Sequence, residues 1–108
     1  VDDRLYLQRM YDAGAADYFD ILEANPMGFA YSPDDTSDPH HFYFSRVTEL
    51  RDIMVANGDG DKQVWALEFG WLHDTDIDLG DFNWMKVSPQ EQADYLVRVY
   101  QKALEGWL

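Results

Sequence analysis

Two short apolar and aromatic runs, one within Asp17–Asn25 (DYFDILEAN) and one across Gln63–Phe69 (QVWALEF), have the composition and length of strands. Each ends at a breaker, Asn25-Pro26 with Gly28 after the first and Gly70 after the second. Between them, Ser45 opens a helical pattern with apolar residues at Val47, Leu50, Ile53 and Met54, closed by Asn57-Gly58. A strand, a helix and a strand at this separation have room for a parallel crossover. Two parallel strands leave both edges unpaired and apolar faces open, so the chain is expected to be a slice of a larger α/β sheet or barrel.

The remaining segments fit that order. Asp2–Ala13 reads as a short helix, with Leu5, Leu7, Met10 and Tyr11 apolar and Gly14 as its stop. Met27–Phe44 reads as a long loop carrying Phe29, Tyr31, Phe42 and Tyr43, and Leu72–Val87 as a second, acidic loop. Ser88–Glu91 (SPQE) is a capping box with proline at the first helical position. The helix it opens has an expected stripe of Ala93, Leu96, Val97, Tyr100, Ala103, Leu104 and Trp107. The expected fold is α/β, a partial (β/α)8 barrel with two parallel strands and three helices, as one segment over residues 1–108.

Charge narrows the partners. With 21 acidic against 8 basic residues the formal charge is -13, and no basic cluster occurs, so phosphate backbones and anionic lipid are repelled. Neither nucleic acid nor membrane is an expected partner. The chain contains no cysteine, which leaves no thiol chemistry and no indication of redox compartment. The opening VDDRLYLQRM has neither an initiator methionine nor a signal-peptide core and reads as an interior segment.

Glu68 stands inside the most apolar run of the chain, KQVWALEFGWL, where a buried carboxylate is costly unless it is paired or used. Strand alternation groups it with Ala66 and Val64, opposite Trp65, Leu67 and Phe69. Small residues plus one acid inward, with bulky residues outward under helices, is the expected pattern of a barrel strand. Glu68 then falls at the C-terminal strand end, where such barrels place catalytic groups.

VWALEFGW resembles the seventh-strand motif of retaining β-glycoside hydrolases of the large (β/α)8-barrel clan, which includes cellulase-like and xylosidase-like families. YFDILEANPMGFAY resembles their sixth strand, so the resemblance runs from about the fifth helix to the seventh. It implies that Glu68 is the nucleophile, that Asn25 hydrogen-bonds sugar hydroxyls or holds Glu68, and that Trp71 offers a stacking face for a sugar ring. Met27 stands where the family commonly has an aromatic hydroxyl, so the phenol that would orient the nucleophile is missing unless Tyr31, the further substrate-binding candidate, reaches in from the loop. Glu23 adds an acid where a small residue is common. The family's acid/base comes from a fourth strand that this sequence does not contain, so the chain alone is expected to be inactive. Carbohydrate is the implied substrate, with no cofactor and no metal. Open strand edges are expected to pair with the missing barrel part or with a second copy. Compartment stays open, although relatives acting on polysaccharide are commonly exported.

Other signals are weaker. Asn57, Asp59, Asp61, Val64 and Glu68 follow part of a calcium-loop spacing, but Lys62 stands where the loop needs glycine, which favours a plain helix-to-strand turn. Asp74, Asp76 and Asp78, and the pair His40 and His41, are weak metal patterns. Phe82 and Trp84 either rim a sugar cleft or cover a helix end. No G-x-S-x-G occurs for a serine nucleophile. The alternative reading is a non-catalytic acidic module that binds carbohydrate or calcium.

Overall fold

The computed structural model describes residues 2–36 and 43–106. Their contacts fall into two compact units, one built from Val1–Asn25 with Arg46–Glu68 and the other from Pro26–Ser45 with Phe69–Leu108. His40, His41, Phe42 and Trp107 lie outside the described residues.

In the first unit, α1 (Asp3–Asp12) begins at Asp2, whose side chain accepts from the Arg4 amide at 3.0 Å, and ends before Gly14 at φ 85°. A 3-10 turn, Ala15–Tyr18, occupies the front of the run expected to be strand, and β1 is confined to Ile21–Ala24. Next come α2 (Arg46–Ala56) and β2 (Gln63–Ala66). The strands pair in parallel, Leu22 beside Val64 and Ala24 beside Ala66, which is the expected crossover order.

Leu7 and Tyr11 of α1, Ala24 of β1, and Val47, Leu50 and the fully buried Met54 of α2 form the core, with Leu22, Ile53 and Val64 packed against it. The sheet face is therefore the reverse of the expected one. Helices cover the side of Leu22, Ala24 and Val64, while Trp65 and Leu67 on the other side are 50% and 56% exposed. Small and β-branched residues let the helices approach closely, and the bulky ones are left on the open face.

Charge ties the helix starts together. The buried Arg46 pairs with Asp2 at 2.9 Å and Asp3 at 2.5 Å, and Arg4 pairs with Asp2 and with Glu49, each at 2.7 Å. Hydrogen bonding from Arg4 holds the Asp2 carboxyl well below the usual carboxylate range. After α2, Asn57 Nδ2 donates to the Ile53 carbonyl and to Gln8, and Asp59 accepts from the Tyr11 hydroxyl and pairs with Lys62. Burial and the Asp59 hydrogen bond push the Tyr11 phenol up to about 12. Two of the side chains in the calcium-like spacing are thus engaged by protein groups, and the segment is the expected helix-to-strand turn.

The second unit departs further from expectation. Within Leu72–Val87, read above as plain loop, β3 (Leu72–His73) pairs in parallel with β4 (Lys86–Val87), and a 3-10 turn runs over Gly80–Met85. The described strands are thus four, in two parallel pairs, and the fold is α/β. Asp78 accepts from the Gly80 amide at 2.9 Å and from Asn83 at 2.6 Å, while Lys86 Nζ donates to the Thr75 and Ile77 carbonyls. A lysine ammonium closes the acidic loop.

The capping box forms as expected. Glu91 accepts from the Ser88 amide at 2.8 Å, the Glu91 amide donates back to Ser88 Oγ at 3.1 Å, and α3 (Pro89–Gly106) follows. Its buried side matches the expected stripe at Leu96 and otherwise departs from it. Val99 is buried with Tyr95 and Leu96 against Phe44, Trp71 and Val87, whereas Val97, Tyr100 and Leu104 are each more than half exposed. Both sides of this helix carry apolar residues, so the 3.6-residue period does not say which is covered.

Truncating Met54 to alanine should lower unfolding free energy by about 2–5 kcal/mol in urea titration, since the side chain is fully enclosed. Asp2→Asn tests the charge clasp through pH. A lowered folded pKa stabilises fully above the ordinary carboxylate value and is lost as pH falls below it, so the wild-type advantage over Asp2→Asn should be present at pH 7 and vanish in acid.

Candidate functional site

Parallel pairing brings the C-terminal ends of β1 and β2 side by side. Beyond them the Leu67 amide donates to the Ala24 carbonyl at 3.3 Å, and the Glu68 amide donates to Asn25 Oδ1 at 3.1 Å. Proline at 26 has no N–H to offer the ladder, and the Asn25 side chain supplies the acceptor for the Glu68 amide. Asn25 therefore holds Glu68, by its main chain.

The Glu68 side chain is exposed, and among the described residues no hydrogen bond or ion pair holds its carboxylate. The premise of a buried acid is corrected here. Strand pairing ends at Ala66 and a bend follows at Glu68, so the alternation that grouped Glu68 with Val64 and Ala66 stops before reaching it. Glu23, opposite Trp65 in the pairing, is exposed as well and needs no partner.

Tyr31 and Trp71 belong to the second unit. Trp71 does not offer a stacking face, because it is only 6% exposed and its ring packs on Phe44 at 5.8 Å and edge-on to Tyr95 at 5.4 Å. Its indole N–H donates to the Tyr31 carbonyl at 2.6 Å, and Gln92 donates to its carbonyl at the same distance. Gly28 lies directly against the indole, where a Cβ would come within 2.0 Å of Trp71 Cε2. A hydrogen bond from the Gly28 amide to the Gly70 carbonyl, beside the parallel bridge of Met27 with Gly70, holds the two segments at that spacing.

The exposed aromatic surface of this unit is elsewhere. Trp84 is half exposed, with ring centroids 5.9 Å from Phe29 and 6.5 Å from Tyr31. Tyr31 lies in ring contact with Trp84, and Trp84 is the presented ring. A tryptophan amid acidic loop residues was the sequence signal for it. Among the described residues no three His, Asp or Glu side chains gather as a metal site would need, and no helix is long and apolar enough to cross a membrane.

No protein-family model matches the chain, and comparison with curated proteins and with solved structures yields no match.

Replacing Gly28 by alanine should cost about 1–3 kcal/mol in urea unfolding, because the added methyl drives into the Trp71 indole. The near-ultraviolet circular dichroism of the folded variant should also change; a variant with wild-type stability and spectrum would contradict this packing.

Proposed function

We propose that this chain is the C-terminal part of a (β/α)8-barrel β-glycoside hydrolase of the retaining type, acting on oligosaccharide or polysaccharide, with Glu68 as nucleophile. The observation that carries the reading is the placement of Glu68, exposed at the C-terminal end of a parallel strand pair with its amide fixed by Asn25. That is the end of a parallel sheet where α/β barrels build their sites. Open support comes from the sheet itself, whose apolar Ile21, Trp65 and Leu67 lie uncovered on the side away from the helices.

In this reading a Glu68 carboxylate oxygen bonds to the anomeric carbon as the glycosidic C–O bond breaks. The departing oxygen takes a proton from an acid/base residue supplied by another strand, and water then hydrolyses the glycosyl ester. Retention needs the two carboxyl groups roughly 5 to 5.5 Å apart. Asn25 Oδ1 is committed to the Glu68 amide, so its Nδ2 hydrogens are what it has for a sugar hydroxyl or for the nucleophile.

A second reading, a non-catalytic carbohydrate-binding module, is favoured by two observations: the Glu68 carboxylate is held by no described residue, and Trp84 presents half its surface.

Two measurements test these readings, and the second separates them. The 108-residue chain alone should release no aglycone from aryl β-glycosides, and turnover lost in Glu68→Gln would contradict the half-site assignment. In the complete gene product, an activated 2-deoxy-2-fluoroglycoside should leave a glycosyl ester on Glu68 detectable by peptide mass spectrometry. Labelling of a different carboxylate, or none, refutes the nucleophile assignment.

A further inference from the structure

Phe29 adopts φ 51°, the left-handed region that a bulky residue rarely occupies, although glycine stands immediately before it. Such a conformation persists only where its surroundings over-determine it. They do so here. The Tyr31 amide donates to the Gly28 carbonyl at 3.0 Å, Trp71 Nε1 holds the Tyr31 carbonyl, and Asp34 pairs with both Arg98 and Lys102 of α3. The result is that the Phe29 ring lies beside the Trp84 indole, tilted by 35°.

Trp84 sits in the 3-10 turn Gly80–Met85, where side chains three residues apart eclipse, so Asp81 shares its side of the turn. An exposed indole is thereby accompanied by an exposed carboxylate, an acceptor for hydroxyl donors. With Phe29 and Tyr31 in ring contact with the indole, Trp84 as a whole stays half exposed.

We propose that Trp84, backed by Phe29 and Tyr31 and flanked by Asp81, is a stacking platform for one pyranose ring of a neutral oligosaccharide. It rests on the carbohydrate reading above for its ligand class, but it needs nothing from Glu68. The C–H face of an equatorially substituted pyranose matches a flat indole, and its peripheral hydroxyls reach an adjacent carboxylate. An anionic sugar is disfavoured by the chain's formal charge of -13. Phe29 holds its strained backbone because that conformation seats the ring under Trp84.

The test is an NMR titration of the assigned Trp84 indole N–H with cellohexaose and xylohexaose, using tetramethylammonium and polygalacturonate as controls. At least one neutral oligosaccharide should shift that resonance to saturation, and Trp84→Ala should abolish binding as followed through the backbone amides. Asp81→Ala and Phe29→Gly should each weaken binding about tenfold. Phe29→Gly is the discriminating variant, because it relieves the left-handed strain: its thermal midpoint should stay level or rise while affinity falls. A lowered midpoint with unchanged affinity would make Phe29 a packing residue and overturn the platform. So would an unmoved Trp84 resonance with both neutral sugars, or a response to tetramethylammonium alone. Failure of the ester-labelling experiment would remove the hydrolase reading and leave the platform standing, since the titration is read at Trp84 and not at Glu68.

Discussion

Parallel pairing of Ile21–Ala24 with Gln63–Ala66 sets the terms for everything in the first unit. It requires the chain to return across α2, and it brings two strand ends to the same level, so that Asn25 Oδ1 can accept from the Glu68 amide. The core that supports the pair is small, built on Met54 with Leu7, Tyr11, Val47 and Leu50, and it covers one face alone. The other face, with Ile21, Trp65 and Leu67, is exposed apolar surface, which is the physical reason to read this sheet as one that has further neighbours.

The heavy negative charge is managed locally. Arg46 and Arg4 gather Asp2, Asp3 and Glu49 at the helix starts, Lys62 holds Asp59 after α2, and Arg98 with Lys102 clasps Asp34 to α3. Each clasp fastens a loop or helix end, so the few basic residues are spent on position. Lys86 does the same with backbone carbonyls, filling the Asp74–Asp78 loop with its own ammonium.

Much of the architecture was legible in residues with strong local rules. The Asp2 cap, the Gly58 terminator at φ 89°, the Ser88–Glu91 box and the parallel order all follow from them. What was not legible depends on partners. Alternation separates Val64 from Trp65 but does not say which side a helix will cover, and here helices chose the smaller residues. Along α3, Tyr95, Leu96 and Val99 compete with Val97, Tyr100 and Leu104 for one packing surface, and periodicity is satisfied by either set. Two-residue strands such as Leu72–His73 are too short to leave a pattern. Of the four residues singled out for the site, Asn25 and Glu68 meet as strand ends must. Trp71 went to the core because Gly28 leaves room for its indole, and Trp84 is the exposed ring beside Tyr31.

The central claim is that Glu68 faces the anomeric carbon of a bound sugar. A crystal structure of the complete gene product with an intact oligosaccharide tests it most directly. The account predicts a Glu68 carboxylate oxygen about 3–3.5 Å from an anomeric carbon, on the face opposite the departing oxygen. A bound sugar whose anomeric carbons all lie far from Glu68, with that side chain still in open solvent, would contradict it.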